Sequence, residues 1–176
     1  MFRPFLFVLL ALSGADPRLA DAADDNIHFT GALVAEPCVI PSGEENIPLE
    51  FGTIIDKYLY ENQRTGNEPF TIHLTECDPA IASTLSVIFS GTPSPSLPGL
   101  LALDGGSTAS GVAIGLNDMN GDALPLEQAP PVVELAKGEN VLTFSAYVQG
   151  EPEAIANRSI GRGEFTATAT FTLKYE

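Results

Sequence analysis

The sequence predicts an all-β sandwich. Three observations predict it. Sixteen glycines and 14 prolines punctuate 176 residues, too often for long helices. Apolar residues recur at every second position in several stretches, the spacing of half-buried strands. No run of more than ten residues carries convincing helical spacing. At 44% hydrophobic, the chain has enough apolar mass to pack a core despite its charge. Its length predicts one domain.

The elements follow in order. Arg3 and the apolar run Phe5–Leu12 read as an export signal, too short to span a bilayer as a helix. Ala20-Asp21-Ala22 is the small-x-small site at which cleavage is expected, with Ala15 the alternative. Residues 1–22 are therefore assigned to the signal. Arg3, Arg18, Asp16 and Asp21 cancel within it, so the remainder keeps the full −15. Ile27, Phe29, Gly31 and Leu33 alternate with His28, Thr30 and Ala32, a strand pattern. Leu49–Ile55 is a second apolar stretch, broken by Gly52. Asn62–Pro69 is polar and reads as a loop. Phe70, Ile72 and Leu74 alternate with threonine and histidine up to Cys77. Leu85–Phe89 is a short β-rich run. Pro93, Pro95 and Pro98 then exclude a central strand. Gly111–Leu116 and Ala123–Leu126 flank an Asn120-Gly121 turn and read as a hairpin. Val141–Val148 alternates again. Phe165, Ala167, Ala169, Phe171, Leu173 and Tyr175 share one face of a last strand. The total, seven or so strands, is the pattern of an Ig-like sandwich.

Composition limits function. With 8 Lys+Arg against 23 Asp+Glu, the chain repels phosphate backbones and anionic headgroups, so neither nucleic acid nor a membrane surface is an expected partner. No second long apolar run exists, so no membrane insertion is expected. Two histidines and two cysteines are too few for common zinc or copper sites, and no cofactor is predicted. No spacing singles out a carboxylate pair for hydrolysis. In an exported chain Cys38 and Cys77 predict one structural disulfide, worth about 3–4 kcal/mol in the chain-entropy account. A redox role would favour Cys-x-x-Cys, which is absent. Asp118-x-Asn120-Gly121-Asp122 lacks the glycine and bidentate glutamate of a calcium loop and reads as a turn. Asn157-Arg158-Ser159 is a short sequon of a kind common by chance. His28 and His73 read as exposed strand positions.

The placement of Ile27–Leu33 before the first cysteine is unusual for a closed sandwich. So is a chain that stops on its most regular strand, whose far edge then needs a neighbour. Two readings are open: an ordinary intramolecular edge strand, or a strand supplied to another chain.

Four blocks resemble subunits of chaperone–usher pili of the type 1 and P pilus kind. They are Asp25–Cys38; Phe51-Gly52 with Phe70–Cys77; Gly111–Leu116 through Leu124-Pro125-Leu126; and Gly163–Glu176, with a glycine fourteenth from the end and a penultimate tyrosine. The resemblance covers essentially the whole chain after the signal. It implies an incomplete Ig-like β-sandwich lacking its last strand, with residues 23–35 as an N-terminal donor-strand extension and 36–176 as the pilin domain. It further implies capture by a periplasmic chaperone, handover at an outer-membrane usher, and polymerisation with neighbouring subunits by donor-strand exchange, ending in a fimbrium on the cell surface. Ile27, Phe29, Gly31 and Leu33 become the donor residues. Asp25 departs from the apolar residue often found at its position. Gly163, Phe165, Ala167, Ala169, Phe171, Leu173 and Tyr175 become the acceptor groove and chaperone-binding strand. The acidic excess and the diverged segment Tyr58–Asn67 point to a minor structural subunit, with a major rod pilin as the alternative. An exported carbohydrate-binding adhesin domain is the reading from a different class.

Overall fold

The computed structural model describes residues 29–118, 120–128 and 132–176. The expected signal and the start of the extension, including Ile27, lie outside the described residues. Residues from Ala35 to Glu176 form one compact unit.

The order of elements is α1 (Asp56–Asn62), β1 (Glu68–Cys77), β2 (Thr84–Gly91), β3 (Val112–Asn117), β4 (Val133–Glu134), β5 (Gly138–Gly150), α2 (Pro152–Asn157) and β6 (Ala169–Tyr175). The described residues form two three-stranded sheets, in the orders β1-β5-β3 and β4-β2-β6. Every ladder is antiparallel. Period-two alternation thus becomes two sheets whose apolar faces meet. Phe70 and Phe144 from the first sheet meet Phe89 from the second, with ring centroids 5.2–6.0 Å apart. Ile72, Leu74, Leu85, Val87 and Val148 are buried around them.

β3 is an edge strand, yet all six of its residues are buried. Leu101 exchanges backbone hydrogen bonds with Ile114 (2.8 and 2.9 Å), so the proline-rich connection covers that edge. Gly115 lies against the ring of Tyr147, in space a Cβ would claim. Cys38 and Cys77 form a disulfide and are both buried. Beside it Val39 and Thr75 exchange two backbone hydrogen bonds of 2.8 Å, fastening the chain entry to the end of β1.

Several sequence expectations change in detail. The last ladder begins at Ala169 rather than Phe165. Ala123–Leu126 contributes one bridge, Asn117 to Ala123, rather than a strand. The turn itself is as expected, with Gly121 at φ 85° and Asp118 Oδ1 accepting from the Asn120 and Asp122 amides. Leu49–Ile55 has no ladder, and neither do residues 29–34. The Asn62–Pro69 loop is shorter than expected, because α1 ends at Asn62 and β1 begins at Glu68.

Candidate functional site: an open edge along the last strand

β6 pairs with β2 from Leu85↔Tyr175 to Gly91↔Ala169. Glu176 and Thr84 exchange two backbone hydrogen bonds of 3.0 Å. In an antiparallel ladder such pairs alternate with pairs whose backbone groups point away. The even-numbered residues of β6 therefore bond β2. The N–H and C=O groups of Ala169, Phe171, Leu173 and Tyr175 face the opposite side, where no described strand is paired.

The same alternation extends upstream without a strand partner. Thr166 O accepts from the Asp104 amide (2.8 Å), and Glu164 O accepts from the Thr108 and Ala109 amides (2.8 and 3.1 Å). Thr166 N donates to Ser107 Oγ at 3.1 Å. The backbone groups of Phe165 and Ala167 bond to no described backbone group. Gly163 turns the chain into this run at φ 150°, and a side chain there would collide with Thr108.

Side chains complete the pattern. Phe165, Ala167, Phe171, Leu173 and Tyr175 pack against the core but remain partly exposed. Ala169 is exposed, and so are the alternate residues Thr166, Thr168, Thr170, Thr172 and Lys174. One row of residues thus carries both unpaired backbone groups and incompletely covered apolar side chains. Burial raises the Tyr175 pKa above the ordinary phenol value, and the charge of Glu36 raises it further.

At the Gly163 end a second wall faces this row. The rings of Phe51 and Phe165 lie 6.3 Å apart. Residues 45–54 make no backbone hydrogen bond to another described backbone group, although Ile47, Leu49, Phe51 and Ile54 pack on the core. Between Ile54–Leu59 and Ile160–Phe165 lies a cavity of about 190 Å³, with Val112 and Val148 also lining it. At its lining Arg162 donates from Nε (2.9 Å) and Nη2 (2.7 Å) to Asp56 Oδ2. That hydrogen bond holds the Asp56 carboxyl below its usual pKa and raises the pKa of Arg162.

The structure therefore gathers Gly163, Phe165, Ala167, Ala169, Phe171, Leu173 and Tyr175 along one edge. The expected donor residues are described in part. Phe29 is 89% exposed and Leu33 105%, and Gly31 has open space around its Cα. Sequence reasoning missed the facing wall, the cavity and the Asp56–Arg162 pair. The apolar stretch Leu49–Ile55 was the available signal for the wall, but nothing local ties it to residues more than a hundred positions later. Among the described residues no group of three or more His, Cys, Asp or Glu side chains is arranged to hold a metal. No described helix is long and apolar enough to cross a membrane.

Comparison with known proteins adds independent observations. The sequence profile of the family described as Fimbrial protein matches residues 27–176. The chain is similar to Fimbria A protein of Serratia marcescens, with 34% identity over 161 residues covering 90% of each chain. It is similar to the fimbrial adapter PapK of Escherichia coli, with 31% identity over 180 residues covering 97% of this chain and 96% of the relative. Among solved structures, the P pilus rod subunit PapA superposes with a TM-score of 0.69 at 23% identity, over 80% of this chain and 100% of that one.

Proposed function

The chain belongs to the fimbrial protein family, and we propose that within its fimbria it accepts a β-strand along β6 and donates one from residues 23–35. Family membership makes it a structural subunit of a chaperone–usher fimbria at the cell surface, in association with other pilus subunits. The finer reading, donor-strand exchange after capture by a periplasmic chaperone and delivery to an outer-membrane usher, rests on one observation. Ala169, Phe171, Leu173 and Tyr175 turn free backbone groups toward an unpaired edge, and all but Ala169 also pack on the core while partly exposed.

Strand addition answers both deficits, and chaperone–pilin complementation is a known instance of it. An added strand pairs the free N–H and C=O groups, at about 0.5–1.5 kcal/mol net for each hydrogen bond. Its alternate side chains cover the apolar row. Ile27, Phe29, Gly31 and Leu33 supply that alternation in the donor. Residues 1–22 serve as the export signal, 23–35 as the donor extension and 36–176 as the accepting domain.

Periplasmic expression tests the reading. Co-expression with a family chaperone should yield a one-to-one complex, and Phe171→Asp should sharply lower its yield, because the strand would bury a carboxylate. A monomer lacking residues 23–35 that is as stable without an added strand as with one would contradict it.

A further inference from the structure

We propose that Thr71, His73 and Glu44 form a nucleophile–base–carboxylate triad on the outer face of the first sheet, and that it transfers the acyl group of short, uncharged carboxylic esters to water by way of Thr71. The triad lies on the sheet that lacks β6, and it is independent of the strand-acceptance reading. Its basis is a relay of two side-chain contacts. Thr71 Oγ1 lies 3.2 Å from His73 Nε2, and His73 Nδ1 lies 2.8 Å from Glu44 Oε2. A carboxylate only accepts, so Nδ1 carries the proton shared with Glu44. Nε2 is then left to accept from the Thr71 hydroxyl. In that order of groups a hydroxyl is activated for attack.

The fold holds the three groups in place. Ile72 and Leu74 are buried, so Thr71 and His73 share the opposite, solvent-facing side of β1. The Cys38–Cys77 disulfide and the paired backbone bonds of Val39 and Thr75 set the following residues alongside β1. There the chain turns, with the Glu44 amide donating to Pro41 O at 3.0 Å and Gly43 at φ 91°. The turn delivers Glu44 to the histidine. β1 is also the edge of its sheet. Thr75 bonds Val39, so by alternation the N–H groups of Thr71 and His73 point away from β5 as well, and they bond no described backbone group. The Thr71 N–H thus stands near its own hydroxyl, where an attacked carbonyl oxygen would gather charge. Val141, opposite His73, is 58% exposed, and Val39, opposite Thr75, is 44% exposed. They offer an apolar rest for a short acyl chain on either side of the histidine. Glu44 and a net charge of −15 disfavour an anionic substrate.

In the reaction His73 Nε2 takes the hydroxyl proton as Thr71 Oγ1 bonds to the ester carbon. The bond to the leaving oxygen breaks, and that oxygen departs as an alcohol with the proton from His73. Water then attacks acyl-Thr71 and gives one proton to His73. The carboxylic acid departs, and the proton returns to Thr71. His73 and Glu44 each have side chains 46% exposed, so water competes for their contact. The acceleration should therefore fall below the ~10²–10⁴-fold typical of positioned general bases.

The probe that tests the proposal is p-nitrophenyl acetate, added to the chain from residue 23 onward with its disulfide intact. Wild type should release nitrophenol roughly tenfold faster than Thr71→Val or His73→Gln, and roughly threefold faster than Glu44→Gln. The double variant Thr71→Val, His73→Gln should be no slower than either single one, because the two residues act as a unit. All three side chains are exposed, so the variants should melt close to wild type. Acid-quenched wild type should carry an acetyl group on Thr71, a readout that needs no variant. A slow His73→Gln beside a Thr71→Val at the wild-type rate would mean that the imidazole attacks the ester alone, and would overturn Thr71 as nucleophile. An unchanged rate in Glu44→Gln would remove Glu44 from the triad. Acetyl groups recovered on lysines but not on Thr71, or one rate in all the chains, would overturn the site.

Discussion

β5 and β6 carry the same sequence pattern and reach different ends. In β5, Leu142, Phe144, Ala146 and Val148 are 1–5% exposed. In β6, Phe171, Leu173 and Tyr175 point at the same core yet stay partly exposed. Residue type does not explain this, because both strands alternate an apolar row with mainly polar residues. Neighbours do. β5 is the middle strand of its sheet, between β1 and β3, whereas among the described residues β6 pairs with β2 alone. The apolar face of a strand is covered partly by the strands beside it, so a missing neighbour leaves the edge row incompletely buried. β3 sharpens the point. It is also an edge strand, but the Leu101 connection covers it and every residue is buried.

The comparison can be broken by mutation. Phe144→Ala should have the largest effect, about 3–5 kcal/mol, because it empties a site at the centre of the three-phenylalanine cluster. The loss should be the same with or without an added strand, as read from denaturant midpoints of the strand-free and peptide-bound chain. Phe171→Ala should cost less in the strand-free chain, about 1–2 kcal/mol, because its side chain is already partly in water. Its cost should grow once a strand is bound. Equal costs in the two states would mean that β6 is no more open than β5.

Glycine at 163 offers an intermediate effect. Gly163→Ala places a Cβ against Thr108 at a φ of 150°, and should destabilise the chain by about 1–3 kcal/mol. Thermal melts of Gly163→Ala, alone and combined with Thr108→Gly, would separate the collision from the backbone strain.

The smallest effect concerns Tyr175. Its pKa is raised by burial, with Glu36 adding to the rise. A raised folded-state pKa contributes stability that is complete below the unfolded pKa, near 10, and is lost as pH rises through the folded value. Stability should therefore fall in alkali, and less steeply in Tyr175→Phe. Binding a strand buries Tyr175 further and should move tyrosinate formation to still higher pH. Absorbance titration of wild type against Tyr175→Phe measures this.

Much of this architecture was legible in the sequence, because β1 and β5 alternate with period two and β2 is a short β-rich run, patterns that a helix does not give. β6 was legible too, but its alternation overran its ladder. Phe165–Thr168 keeps the period while the Thr166 backbone bonds Asp104 and Ser107 instead of a strand, and periodicity does not distinguish the two. α1 was not legible. It has seven residues, and its N-cap Ile55 offers no side-chain hydrogen bond. α2 carried a usable signal in Pro152 at its first turn, which the shortness of the run concealed. In the candidate site, the accepting row was readable because it lies on one strand. The wall at Phe51–Ile55 and the Asp56–Arg162 pair were not, because they join residues distant in sequence through the fold alone.

The central claim is that the free backbone groups of β6 accept a strand. Hydrogen exchange of individual amides in a chain lacking residues 23–35, before and after addition of a peptide of residues 23–37, tests it most directly. The account predicts fast exchange at Phe171, Leu173 and Tyr175 without peptide and strong protection with it, while Leu142 and Phe144 in β5 are protected in both states. Protection of Phe171 and Leu173 in the strand-free chain, or exchange unchanged by a bound peptide, would contradict it.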